Sequence, residues 1–199
     1  MSGGVGGQVA GKVVVTNWVT LDGVMQAPGR PDEDTRDGFT HGGWAVPYSD
    51  QTVTATMGER MSARFEWLLG RRSYEDLLES WNAQGGPFRD ALNATRKYVV
   101  SGNAATTLRW PNSELLHGDV AAEVAALKQR SDANLVIMGG GVLIQSLAKA
   151  GLIDEYVLMV APIVLGEGRR LFGPGVRQSL RLLDCVQAGT GALVVTYAA

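Results

Sequence analysis

The sequence predicts an α/β fold, a mostly parallel central sheet with antiparallel strands at its C-terminal end. Three observations predict it. Apolar, β-branched runs alternate along the chain with segments of helical spacing. One such run, residues 134–138, ends in Gly139, Gly140 and Gly141 and opens straight into a helix-spaced segment, 142–150, which Gly151 closes. The chain then finishes on two strand-like runs, 179–187 and 192–197, joined by Gly189-Thr190-Gly191 in the manner of a hairpin.

At 199 residues, with no internal repeat and no linker, the chain reads as one domain with a sizeable core. A net charge of −2 argues against a nucleic-acid surface or an anionic-membrane surface. No apolar run approaches the ~18 residues that span a bilayer. The N-terminus lacks a basic region followed by an apolar core, so a secretory signal is not expected and a cytoplasmic protein is. A single cysteine, Cys185, excludes an intrachain disulfide; within its apolar run it reads as a small core residue rather than a nucleophile. With only His41 and His117 beside it, no metal-ligand spacing exists and no metal is expected.

Taken in order, residues 1–11 are Gly-rich and read as a disordered leader to a domain spanning 12–199. Residues 12–18 form the first strand, dense in β-branched side chains, and run into Thr20-Leu21-Asp22-Gly23. A carboxylate and a glycine directly after a buried strand stand where active-site loops start. Residues 27–47 are broken by Pro and Gly into a long loop, with Trp44 as a packed anchor. Ser49 caps a helix to about Phe65, its stripe made by Val53, Met57, Met61 and Phe65. Residues 66–70 are the next strand. Ser73 and Asp76 then match a capping-box spacing, which places a helix start there. Arg71 and Arg72 sit at that start, where cations are disfavoured; they are either a solvated pair or the partners of an anion.

Residues 80–86 read as a loop, 87–95 as a short helix and 96–102 as a strand ending in Ser101-Gly102. A loop over 103–112 and a short strand over 114–116 follow. Asp119 caps a helix that turns Val120, Val124 and Leu127 to the core. After the glycine stretch come a strand over 155–161 and an irregular segment over 162–175. The glycine stretch itself has two readings. Glycines let a backbone approach closely, and free amides at a helix N-terminus face an anion, which makes a phosphate cradle; or the stretch is a tight turn that binds nothing.

The order of Thr20-Leu21-Asp22-Gly23, Leu69-Gly70-Arg71-Arg72-Ser73-Tyr74-Glu75, Val99-Val100-Ser101-Gly102, Gly139-Gly140-Gly141 and Asp154-Glu155-Tyr156, leading to Pro162 and Leu165-Gly166-Glu167-Gly168, resembles the three-layer dihydrofolate reductase-like superfamily. More closely it resembles the reductase domain at the C-terminus of bifunctional riboflavin-biosynthesis deaminase-reductases (RibD) and its stand-alone relatives. Gly43-Trp44 is similar to the stand-alone subgroup, and the resemblance covers about residues 12–197.

The resemblance implies NADPH as cofactor. Gly70, Arg71, Arg72 and Ser73 would bind its phosphates, an arginine reaching the 2′-phosphate, where a guanidinium suits. Ser101 would sit near the adenosine end. Gly139, Gly140 and Gly141, with the amides of Val142 and Leu143, would hold the pyrophosphate. The nicotinamide would lie beside Thr20 to Gly23. Trp18, Trp44 and Tyr48 wall a substrate pocket or simply pack. Asp22 is the candidate proton donor, its pKa raised in a dry aromatic pocket, or a carboxylate that orients a donating water, or a plain turn residue.

Two departures stand out. The deaminase half is missing: there is no His-x-Glu and no Pro-Cys-x-x-Cys. The helix that carries the catalytic acid of true dihydrofolate reductases is replaced by the 27–47 loop. The expected activity is NADPH-dependent reduction of an imine, carbonyl or conjugated double bond in a small planar, pyrimidine- or pteridine-like substrate. A non-catalytic NADP-binding or redox-sensing protein and a dihydrofolate or pteridine reductase are the alternatives. A homodimer is expected, with the apolar C-terminal hairpin against its partner.

Overall fold

The computed structural model describes residues 11–199. The expected leader, apart from Gly11, lies outside the described residues. Gly11 is buried and donates its N–H to Ser131 O at 3.0 Å, so it belongs to the folded domain. The strands are β1 (Val13–Thr20), β2 (Phe65–Gly70), β3 (Lys97–Val100), β4 (Ser113–Leu116), β5 (Asn134–Met138), β6 (Glu155–Ala161), β7 (Arg181–Gln187) and β8 (Leu193–Ala198). The helices are α1 (Gln51–Arg60), α2 (Arg71–Gln84), α3 (Pro87–Ala94), α4 (Val120–Arg130) and α5 (Gly141–Lys149).

One eight-stranded sheet has the order β4-β3-β2-β5-β1-β6-β8-β7. Pairing is parallel from β4 through β6, and antiparallel for β8 with both β6 and β7. The mostly parallel sheet with an antiparallel C-terminal hairpin is therefore the observed architecture. Central strands buried on both faces explain the near-continuous Val, Leu and Ile runs. On one face Val13, Val15, Leu135 and Ile137 pack with Leu127 of α4 and Ile144 and Leu147 of α5. On the other, Val14, Trp67, Leu69 and Val99 pack with Val53 of α1, Tyr74 and Leu78 of α2 and Leu92 of α3. Each such fully buried side chain contributes about 1.5–3 kcal/mol.

Several expectations are corrected. The helix expected to run to Phe65 ends at Arg60, because Phe65 opens β2, where it stacks edge-on to Trp67; its cap is Asp50, which accepts from Val53 N, not Ser49. α2 opens at Arg71 on a Gly70 cap, so Ser73 lies inside the first turn and caps nothing. Residues 80–84 are helix, not loop: Trp81 packs on Phe88 of α3, with ring centroids 4.6 Å apart, and tertiary contact overrides the weak local propensity. Cys185 is exposed, because β7 is the sheet edge and only one of its faces meets the core.

Candidate functional site

β1 and β5 part early. Their pairing stops at Thr16↔Met138, while β1 remains paired with β6 to Thr20↔Ala161. The chain leaves β5 through Gly139 and Gly140, both left-handed (φ 70° and 72°), and enters α5. A Cβ on Gly139 would stand 3.1 Å from Ser73 Oγ, and one on Gly140 3.5 Å from the same atom and 3.9 Å from Gly70 N. The first turns of α2 and α5, following the adjacent strands β2 and β5, thus meet at the glycine turn.

Neither helix has a side-chain cap. By contrast α1 and α4 are capped by Asp50 and Asp119, and α3 opens on Gly86-Pro87. The free N–H groups and positive dipole ends of α2 and α5 therefore converge at the carboxyl ends of the strands, where open α/β sheets bind ligands. The first-turn residues divide: Val142 is 77% exposed, whereas the Leu143 side chain is buried in the core and contributes only its amide to the turn.

The expected adenosine side forms a cleft of about 440 Å³ lined by Arg71, Glu75, Asn103, Thr106 and Arg109, among others. Arg71 Nη1 lies 2.8 Å from Glu75 Oε2, an i,i+4 pair that offsets a cation at the wrong helix end. Arg72 is exposed. Ser101 is buried at the edge of this loop, its hydroxyl 2.7 Å from Thr106 Oγ1 and accepting from Asn103 N.

At the other end, Thr20 is buried and its hydroxyl donates to Asp22 Oδ1 at 2.5 Å and accepts from Val24 N at 2.9 Å. Asp22 also accepts from Leu165 N (3.3 Å) and Gly166 N (2.9 Å), and Arg170 donates to both its backbone oxygen and its carboxylate. The Thr20 hydroxyl, joined by these two amides, outweighs partial desolvation and holds the Asp22 carboxyl below its ordinary value. This corrects the expectation of a raised pKa: the pocket around Asp22 is polar, not dry. Trp44 is buried and donates to Gln26 O at 2.7 Å, which makes it the loop anchor. Trp18 and Tyr48, half-buried, pack in the same cluster.

The two loops beside Asp22 are clasped. Gln26, itself buried, donates to Asp34 O and Arg36 O at 3.1 Å each and accepts from Arg169 N at 2.9 Å. The chain around Gly23 and Met25 exchanges backbone bonds with Arg169 and Leu171. Asn17, Glu75, Arg109 and Arg170 have no assigned role among the residues expected from sequence. Asn17 carried a usable signal, an amide inside a run of valines; Arg170 did not, since its partner lies far away in the chain.

The sheet order and layers define a dihydrofolate reductase-like fold, and solved structures of that fold superpose on it. A dihydrofolate reductase from Enterococcus faecalis, complexed with NADP(H), matches with a TM-score of 0.59 at 15% identity over 95% of both chains. A putative riboflavin biosynthesis protein from Shewanella sp. PV-4 matches at 0.65 and 23% identity, covering 94% of this chain and 98% of that one. A pyrimidine reductase-like protein from Corynebacterium diphtheriae matches at 0.61 and 13%, covering 94% and 91%. The family model of the RibD C-terminal domain matches residues 11–194, and the chain belongs to that family. The uncharacterised Bacillus subtilis protein YyaP is 30% identical over 108 residues, 53% of this chain and 56% of that protein. The chain spans about half the length of the curated relatives it matches, or less. No helix among the described residues is long and apolar enough to cross a membrane.

The Asp22 network makes an acid-stability prediction. Its folded pKa lies below the unfolded value of 3.8, so its contribution is fully present above that value and is lost as pH falls through the folded one. Asp34 and Asp50, held low by the Arg36 guanidinium and the Val53 amide, titrate in the same direction. Thermal midpoints of wild type and Asp22→Asn, measured from about pH 6 to pH 2, isolate the Asp22 share. The wild-type curve falls more steeply below about pH 4 than the variant's; parallel curves would mean that Asp22 is not ionised and bonded as described.

Proposed function

We propose that the protein is an NADPH-dependent reductase that passes hydride to an imine, carbonyl or conjugated double bond of a small planar, pyrimidine- or pteridine-like substrate. One observation carries this reading: two uncapped helix starts, α2 and α5, meeting at the left-handed Gly139-Gly140 turn. Membership of the RibD C-terminal domain family supports a reductase. The likeness to a pyrimidine reductase-like protein and to a dihydrofolate reductase complexed with NADP(H) supports the substrate class and the cofactor.

The residues fit a dinucleotide. The glycine turn is a cradle in which added Cβ atoms would meet Ser73, and buried Asn17 Nδ2 beside it has no partner among the described residues. The pyrophosphate is assigned to Gly139, Gly140, Gly141 and the amides of Val142 and Leu143, with Gly70 and Ser73 opposite. Arg71 and Arg72 are assigned to the 2′-phosphate, and Ser101 to the adenosine end. When bound, NADPH supplies the hydride. The remaining work falls to this chain. Trp18 and Tyr48 offer flat faces to a planar ring. Asp22, ionised near neutral pH and already accepting from Thr20, Leu165, Gly166 and Arg170, does not give a proton, so its part is to hold the Thr20–Gly23 turn, and the proton for the heteroatom comes from solvent water.

The same ionised Asp22 gives some weight to the non-catalytic reading, an NADP-binding or redox-sensing protein without turnover. The folate reading loses ground. On α1, the helix after the long loop, the residues buried toward the sheet are Val53 and Thr56, and its carboxylate, Glu59, is exposed. NADPH consumption over a panel of pyrimidines, pteridines and quinones separates the first reading from the other two.

Three outcomes are expected. NADPH binds more tightly than NADH by about 30-fold, the worth of one or two charge-assisted hydrogen bonds at ~2 kcal/mol, and Arg71→Ala erases most of that difference. Equal wild-type affinities, by fluorescence titration, would rule this out. Gly140→Val keeps a native circular dichroism spectrum but loses dinucleotide binding, since a β-branched residue is strained at φ 72° and distorts the cradle. Retained binding would remove the cradle. Light scattering at micromolar concentration returns a homodimer mass, with exposed Leu182 and Leu183 of β7 in the contact. A monomer mass would exclude it.

A further inference from the structure

Three buried side-chain polar atoms lack a hydrogen-bond partner among the described residues: Asn17 Nδ2, Trp67 Nε1 and Thr196 Oγ1. Trp67 and Thr196 stand in mid-strand, on β2 and β8. Asn17 stands where β1 leaves β5, one residue past their last paired position. It is 6% exposed, in a strand that also holds Val13, Val14, Val15 and Val19. A valine there would bring no amide nitrogen into the core; a buried amide with one end unspent is a cost to the fold.

Its other end is in use. Asn17 Oδ1 accepts from Gly139 N at 2.8 Å, bridging two chain segments at the point where the strand ladder stops. That bond fixes the orientation of the amide. The Gly139 N–H must find an acceptor, so the oxygen faces it and the NH2 faces away; exchanging the two would set donor against donor. The NH2 is therefore held beside the left-handed turn that joins β5 to α5. A primary amide nitrogen has only hydrogens to offer, so what completes it is an acceptor oxygen.

We propose that Asn17 is a ligand-binding residue: Oδ1 holds the Gly139 amide in the turn, and Nδ2 donates to an oxygen of the dinucleotide, of either its pyrophosphate or its carboxamide. This rests on the dinucleotide-binding reading above. The fold leaves one hydrogen bond unmade and the ligand makes it, so the group that is a liability in the free protein becomes a source of affinity. Asn17 also couples the two halves of the site, since the amide that touches the ligand is the one that shapes the glycine turn.

The decisive variant is Asn17→Asp. It keeps an acceptor for Gly139 and replaces the donor by a second oxygen. At pH 8 the ionised carboxyl repels a ligand oxygen; at pH 5.5 a buried, protonated one donates again. NADP+ and 2′-phospho-ADP-ribose, which lacks the nicotinamide, are titrated against wild type and variant at both pH values. The variant is expected to bind NADP+ about 10-fold or more weakly at pH 8 and to recover most of that loss at pH 5.5. Loss for both ligands assigns the bond to the pyrophosphate, and loss for NADP+ alone to the carboxamide. As a second measurement, independent of how the variant folds, the Asn17 side-chain NH2 resonances of the wild-type protein shift on NADP+ saturation. Unchanged affinity at both pH values, or a saturated wild-type protein whose Asn17 NH2 resonances stay put, overturns the assignment. A purely structural role would lower the thermal midpoint without the pH-dependent recovery. If the wild-type protein binds neither ligand, the dinucleotide reading fails, and this assignment with it.

Discussion

The site depends on one strand outrunning its neighbour. β1 stays paired with β6 to its last residue but parts from β5 four residues earlier, after Thr16↔Met138. A fully paired β1 would leave no gap at the carboxyl end of the sheet and no room for the glycine turn above it. The strand can do this because the rest of it is held on both edges and both faces, with Val13 and Val15 wholly inaccessible. A rigid element that is open on one side for its last turn of sequence is a sound base for groups that must be placed within a fraction of an ångström.

Around that gap the charges are arranged in opposition. At the β2–α2 and β5–α5 junctions, backbone amides are left unspent and the helix ends are positive. At the end of β1 the reverse holds: a carboxylate has all its acceptors engaged by Thr20, Leu165, Gly166 and Arg170. The first arrangement invites an anion; the second is already satisfied. Arg71 stands between these conditions. Its ion pair with Glu75 suppresses its repulsion from the helix end, and a phosphate that replaced Glu75 would relieve that repulsion in the same way while adding a bidentate contact.

Much of this was legible in the chain itself, for physical reasons. Val-rich runs announce strands buried on both faces, so β1, β5 and β6 are read nearly to the residue. The turn at 139–140 is visible because glycine takes its left-handed backbone most readily. What escaped was decided elsewhere in the structure. The stretch 80–84 is polar and reads as loop until Trp81 meets Phe88. Cys185 sits in an apolar run, but whether such a run faces core or solvent depends on β7 being last in the sheet. The Asp22 carboxyl is held low first by the Thr20 hydroxyl, two residues away, and then by the amides of Leu165 and Gly166, more than a hundred residues on, a part that no local pattern encodes. Asn17 is the instructive case. An amide among valines was in plain view, and its meaning appeared only once Gly139 was found against it.

The clasp made by Gln26 has a consequence for anyone who would redesign this scaffold. One side chain holds the 27–47 segment through Asp34 and Arg36 and the 162–175 segment through Arg169. The second of these segments also supplies the amides that seat Asp22. Shortening or grafting the first loop to accept a different ring would slacken the second and unseat the carboxylate with it. The two loops form a single module for exchange, and would have to be transplanted together.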